Sequence, residues 1–270
     1  MEKNVDYASF AREIRRLSLI LAHHARSSHS GGALSMADIL AVLYSGVLRI
    51  TPATVDDPDR DRFLLSKGHC CAALYAALAI RGFLDKDDLC RHYGDDGSVY
   101  FSHVSHHLNG VEMSSGSLGH GLPVACGIAV NGKVRHQSYN TYVLTGDGEL
   151  DEGSCWEAIL FAAQQQLSRL CLIVDYNQIQ SLGNVKDICD LSPLADKFRA
   201  FNWHVEEIDG HHYDEIAAAL AAFEAEQQRP TVIIAHTVKG KGVSYMEGQL
   251  LWHYRNPNDE QLKQALEELA

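Results

Sequence analysis

The stretch from Thr141 to Val174 constrains the fold most, because it reads as one complete βαβ unit. Thr141-Tyr142-Val143-Leu144-Thr145 is β-branched and aromatic, and Leu170-Cys171-Leu172-Ile173-Val174 is a continuous apolar run, the signature of parallel strands buried on both faces. Between them, Ser154 to Leu167 carries Trp156, Ile159, Leu160, Ala163 and Leu167 at helical spacing, with Ser154 as the expected cap. A right-handed crossover brings the carboxyl ends of both strands to one edge.

The turns that follow the two strands, Gly146-Asp147-Gly148-Glu149 and Asp175-Tyr176-Asn177-Gln178-Ile179, then converge where open α/β sheets bind ligands. A carboxylate from Asp147, an amide oxygen from Asn177 and the main-chain carbonyl of Ile179 are hard oxygen ligands. Two phosphate oxygens and a water complete the octahedron that Mg2+ demands. Gly146 and Gly148 let the backbone approach phosphate closely, and the helix start behind them favours negative charge. Singly, each motif is an ordinary turn; together, at this spacing, they favour a metal–diphosphate site. A dinucleotide fingerprint fails because Asp151 stands where Gly is required. The near P-loop ending Gly132-Lys133-Val134 fails because Val134 replaces the hydroxyl residue.

Strands alternate with helices through the rest of the chain. Helical stretches are expected at Tyr7 to His24, Ser35 to Val47, His69 to Ile80, Leu118 to about Asn131, Tyr213 to Gln227 and from Asp259 onward, with Leu262, Leu266 and Leu269 on the last apolar face. Further strands are expected at Arg62 to Leu65, Trp203 to Ile208 and Thr231 to Ala235. This order predicts an α/β fold, a parallel sheet with helices on both faces. The polar stretches from about His92 to Gly116 and from Gln178 to Ser192 are long for plain connections, and the second is expected to cover the diphosphate.

At this point the chain resembles the thiamin-diphosphate-binding region of transketolases over essentially its whole length. Gly-Asp-Gly followed about thirty residues later by Asn is joined, in family order, by Ser27-Ser28-His29-Ser30-Gly31-Gly32, Leu65-Ser66-Lys67-Gly68-His69, Gly110 to Gly119, and Lys239 to Glu247 followed by Trp252-His253. The resemblance implies thiamin diphosphate and Mg2+ as cofactors, with Asp147, Asn177 and Ile179 binding the metal. It places Gly146, Asp147, Gly148, Glu149, Asn177 and the segment Gly116, Ser117, Leu118 around the cofactor. It also implies His29, His69, His103 and His253 as active-site histidines. Imidazole suits proton transfers on sugar hydroxyls near neutral pH. The expected reaction carries a two-carbon ketol unit from a ketose, by family habit a phosphate ester, to an aldose.

Ser102-His103-Val104 stands where the family has Gly-His-Pro, and His120 replaces a common Gln, so His103 and His106 both stay open as the histidine of that stretch. His103, His106 and His107 lack a neighbouring Cys or carboxylate at ligand spacing, which disfavours a transition-metal site. The other histidines, His211 and His212 among them, read as surface or structural groups. Lys239 and Lys241 read equally as phosphate neighbours or as a solvated Gly-Lys loop. Glu152 matches a family glutamate that faces its activating counterpart across a subunit boundary; the plain alternative is a helix N-terminal acid.

The 270 residues suffice for one good-sized core. The expectation is a single diphosphate-binding domain over 1–270, with the pyrimidine-binding and C-terminal domains on a partner: a transketolase C-terminal-like chain carrying the activating glutamate, in an α2β2 assembly. A net charge of −12 disfavours nucleic acid and anionic membranes. Short apolar runs and the polar start Met1-Glu2-Lys3-Asn4 point to the cytoplasm. Seven cysteines without a Cys-x-x-Cys argue against a disulfide framework. Two alternatives remain: a subunit of another thiamin-dependent enzyme, of 2-oxo-acid decarboxylase or 1-deoxyxylulose-phosphate synthase type, and a non-catalytic module that keeps the cofactor fold.

Overall fold

A computed structural model describes residues 6–270; the polar N-terminal start lies outside the described residues. In chain order the elements are α1 (Tyr7–His24), α2 (Ser30–Ser35), α3 (Ala37–Val42), β1 (Arg62–Leu65), α4 (Cys71–Ile80), α5 (Lys86–His92), α6 (Gly121–Arg135), β2 (Thr141–Gly146) and α7 (Gly153–Gln164). There follow β3 (Leu170–Tyr176), β4 (Ile179–Gln180), β5 (Gly183–Asn184), α8 (Val185–Ile188), α9 (Leu194–Ala200), β6 (His204–Asp209), α10 (Tyr213–Ala225), β7 (Thr231–His236) and α11 (Asp259–Glu268). Five strands form an all-parallel sheet in the order β1-β2-β3-β7-β6.

The period-two alternation of the strands separates two cores. Tyr142, Leu144, Cys171, Ile173 and Ile233 pack with residues of α1, α3, α4 and α10 on one face. Val143, Leu170, Leu172, Val174 and Ile234 pack with residues of α6, α7 and α9 on the other. Each such side chain, once fully buried, contributes about 1.5–3 kcal/mol relative to exposure. This is why the central strands read as unbroken apolar runs. A third cluster, with Leu34, Met246, Trp252 and Leu269, ties α11 and the segment after β7 to the N-terminal helices.

Several boundaries differ from the sequence reading. Ser154 is not the cap of α7: Glu152 holds the N-cap position, and the Ser154 hydroxyl donates to the Gly119 carbonyl at 2.8 Å. The helix expected from Leu118 starts at Gly121, because Gly119 takes a left-handed φ of +81° and interrupts it. The helix expected over Ser35 to Val47 divides into α2, α3 and a π-turn at Leu43–Val47. On α11 the buried position is Ala265, with Leu262 and Leu266 half-buried and Leu269 buried just past the helix end. No described helix is long and apolar enough to cross a membrane.

Candidate cofactor site

All five strands point their carboxyl ends at one edge, and each is followed there by a polar side chain: Lys67 after β1, Asp147 after β2, Asn177 after β3, Lys239 after β7 and His211 after β6. The register Gly146↔Asp175 sets the ends of β2 and β3 level, so Asp147 and Asn177 meet as the spacing predicts. The Asp147 carboxylate accepts from the amides of Gly148 at 2.7 Å and of Gln178, which joins the two turns directly.

A cavity of about 260 Å3 opens at this edge. Of the residues singled out from sequence, it is lined by His29, His69, His103, His253, Gly116, Leu118, Gly146, Asp147, Gly148, Glu149, Asn177 and Ile179. Ser117 and Glu152 do not line it; both are exposed, Glu152 beside Gly119. His106 is also outside, hydrogen-bonded to the Ser114 hydroxyl at 2.8 Å, and its ring packs on His107. His103 is therefore the imidazole brought to the cavity, and Gly116 makes room for it: a Cβ there would lie 2.9 Å from the His103 ring. Lys239 lines the cavity, whereas Lys241 pairs with Glu247 at 3.7 Å outside it.

The four imidazoles form one group. The His29 ring lies 4.8 Å from His69, 4.9 Å from His253 and 6.2 Å from His103, centre to centre. His29 itself sits at φ +74°, a left-handed conformation uncommon for a side-chain-bearing residue and found at sites the surrounding fold over-determines. Burial first, then His103 and the two nearby lysines, lower His29 to about 4; burial and Lys239 lower His253 to about 3; burial and Lys67 hold His69 well below its ordinary value. These three rings are neutral at pH 7. The Lys239 ammonium lies 3.0 Å from His253 Nδ1, and because an ammonium only donates, the ring proton of His253 belongs on Nε2.

Sequence reasoning missed the floor of the site. Lys67 and Asp175 form a salt bridge with side chains 3% and 0% exposed. Asp175 also accepts from the Ser35 hydroxyl at 2.6 Å, from Asn177 Nδ2 at 3.1 Å and from the Thr237 hydroxyl. With its amide nitrogen held, Asn177 keeps Oδ1 as an acceptor, which takes the Ile179 amide at 3.2 Å and has a second lone pair for a ligand. Burial alone would lower Lys67, but Asp175 outweighs it and keeps the ammonium charged. The legible signal was a single carboxylate ending an otherwise apolar strand. Burial and Asp175 push Asp147 up to about 6; burial and Lys67 bring Lys239 down to about 8.

A carboxylate, an amide oxygen and the Ile179 carbonyl are the hard oxygens a divalent cation takes, and the carbonyl, which here accepts from the Lys239 ammonium at 2.7 Å, becomes available to a cation as that ammonium turns to a diphosphate; Lys67 and Lys239 are the two buried ammonium groups that fit one. A larger depression of about 500 Å3 lies at the opposite edge, before β2 and β3, but no carboxylate lines it.

Comparisons with known proteins cover nearly the whole chain. A family model described as transketolase, thiamine diphosphate binding domain, matches residues 7–269. The chain is 40% identical over 269 residues to the 6-deoxy-6-sulfo-D-fructose transketolase subunit SqwG of Clostridium sp., covering 99% of this chain and 98% of that one. It is 37% identical over 256 residues to an apulose-4-phosphate transketolase subunit of Phocaeicola vulgatus, covering 95% and 91%. The solved transketolase from Leishmania mexicana superposes with a TM-score of 0.92 at 31% identity, covering 98% of this chain but 41% of that one. The chain thus spans about two fifths of the length of that solved transketolase.

Proposed function

The chain belongs to the transketolase family as a thiamine diphosphate binding domain, and from that premise we propose that it is the diphosphate-binding subunit of a two-chain transketolase. The observation that carries the reading is the one cavity that gathers Asp147, Asn177, the Ile179 carbonyl, two lysines and four histidines. Near-complete coverage of relatives named as transketolase subunits supports placing the pyrimidine-binding and C-terminal domains on a partner chain, with residues 1–270 as one domain. The partner carries the activating glutamate, the exposed Glu152 faces it across the boundary, and two copies of each chain form an α2β2 assembly in the cytoplasm.

In this reading Asp147, Asn177 Oδ1 and the Ile179 carbonyl hold Mg2+, and Lys67 and Lys239 neutralise the diphosphate. The bound cofactor supplies the electron sink for breaking and re-forming the carbon–carbon bond. The protein's work is positioning and proton transfer. His253 donates from Nε2 to a sugar hydroxyl, while neutral His29 and His69 accept or return protons and His103 serves at the rim; one positioned group of this kind typically contributes about 10²–10⁴-fold. The two relatives are named for sugars bearing phosphate and sulfo groups, which supports a ketose donor carrying a terminal anion.

Calorimetric titration of the full chain with thiamin diphosphate tests the site: binding that requires Mg2+ and disappears in Asp147→Ala is expected. Binding unchanged by either removal contradicts the assignment.

A further inference from the structure

A buried polar cluster beneath the sheet edge reaches the site through one imidazole. Asp38, in α3 and 2% exposed, accepts from the two terminal nitrogens of Arg15 at 3.0 and 2.5 Å, from the Tyr213 hydroxyl at 2.9 Å and from His211 Nδ1 at 2.7 Å. The other ring nitrogen of His211 lies 2.8 Å from the main-chain nitrogen of Val238. A main-chain amide only donates, so Nε2 is the acceptor and the ring proton sits on Nδ1, directed at Asp38. The carboxylate thus fixes both the tautomer and the orientation in which the imidazole can grip Val238.

Val238 immediately precedes Lys239, whose ammonium donates to the Ile179 carbonyl at 2.7 Å and to His253 Nδ1 at 3.0 Å. Main-chain hydrogen bonds hold this short segment at each residue: His211 takes the Val238 amide, Lys241 donates to the Val238 carbonyl at 3.1 Å, Gly248 donates to the Lys239 carbonyl at 2.9 Å, Gly240 donates to the Gly31 carbonyl at 2.9 Å, and Val243 donates to the Gly240 carbonyl at 3.3 Å. Of these, the bond from the Val238 amide is the one made to a side chain. A hydrocarbon would fill the space of His211 at lower desolvation cost than a carboxylate-anchored imidazole, so what the imidazole adds is direction.

We propose that His211, aimed by Asp38 and Arg15, is a positioning residue that sets the main chain ahead of Lys239 and so holds the Lys239 ammonium against the cofactor's diphosphate. His211 touches neither cofactor nor sugar. The proposal rests on the cofactor reading above and adds a residue that acts on it from outside the cavity.

A double-mutant cycle separates this role from simple support of the fold. The full chain and its His211→Asn, His211→Gln, Lys239→Met and His211→Asn/Lys239→Met variants are titrated calorimetrically with thiamin diphosphate at saturating Mg2+, with folding checked by circular dichroism. Asn keeps a donor for Asp38 but presents nothing to Val238, and weakens binding about tenfold, the scale of one lost hydrogen bond. In the Lys239→Met background the same change costs less than about twofold, because its route to the ligand is gone. Gln, whose longer amide places an oxygen toward Val238, recovers most of the affinity, and it carries the test if His211→Asn does not fold.

Equal losses in both backgrounds, or a Gln variant as weak as Lys239→Met, overturn the proposal. If the unmodified chain binds no thiamin diphosphate, the cofactor reading falls first and this role with it; binding with an additive cycle removes the positioning role alone.

Discussion

Asp175→Asn removes one negative charge from the floor of the site while keeping the size of the side chain. Its Oδ2 receives Lys67, Ser35 and Asn177, and its Oδ1 receives Thr237. An asparagine keeps this geometry with its oxygen in the Oδ2 position and its amide donating to the Thr237 hydroxyl. What it loses is the counter-charge of an ammonium that is 3% exposed. Breaking a buried pair in this way costs about 3–5 kcal/mol. For a domain of this size that lowers Tm by about 6–20 °C at 2–4 °C per kcal/mol. Thermal and urea unfolding at pH 7, followed by circular dichroism, measure it. Lys67→Met added to Asp175→Asn removes the stranded ammonium and recovers most of the loss.

Burial alone would raise the Asp175 carboxyl, but Lys67 and the hydrogen bonds together hold it below the usual range. Its stabilising contribution is therefore present above the unfolded carboxylate pKa, near pH 4, and fades as pH falls below that. The unmodified and variant stability curves converge in acid. A loss under about 1 kcal/mol at pH 7, the range of an exposed pair, or a double variant no better than the single one, refutes the reasoning.

Other consequences can be measured separately. The Tyr75 hydroxyl donates to the His103 carbonyl at 2.8 Å and accepts from the Ser105 amide at 2.9 Å, so Tyr75→Phe strands both and costs about 1–3 kcal/mol in urea unfolding; an unchanged midpoint contradicts this. The lowered values of His29, about 4, and His253, about 3, mean that the unfolded chain takes up these protons first. Their share of stability is present above about pH 6.5 and is lost as pH falls toward 4, so His29→Gln/His253→Gln shrinks the drop in unfolding free energy between pH 7 and pH 5; an undiminished drop counts against it. At Gly121 a Cβ would lie 2.2 Å from the Ser66 hydroxyl, so Gly121→Ala displaces the Ser66–Glu149 contact and costs about 1–3 kcal/mol in thermal unfolding, with a neutral result refuting the close approach.

The strands of the central sheet were legible because β1, β2, β3 and β7 are buried on both faces and leave apolar runs that no surface helix shows. The meeting of Asp147 with Asn177 followed from topology alone. Helix starts were harder: Ser154 looks like a cap, yet its hydroxyl serves Gly119, and only the left-handed Gly119 shows why α6 begins at Gly121. The α8 turn and the short β4–β5 hairpin left no periodic signal, being two to four residues long. His103 was not separable from His106 by sequence, because the choice depends on Gly116, thirteen residues later, giving way to one ring. Lys67, Asp175 and His211 lie at three separate strand ends, and their roles are pairings across the sheet that linear spacing does not express.

The central claim is that this chain completes a transketolase only with a second chain. Co-purified with a partner bearing the pyrimidine-binding domain, and supplied with thiamin diphosphate and Mg2+, it is assayed for two-carbon transfer from anionic ketoses to an aldose, alone and in the mixture. Transfer is expected in the mixture, none by either chain alone, and none in a mixture made with Asp147→Ala. Sustained transfer by this chain alone, or a stable complex that transfers nothing from any ketose, contradicts the claim.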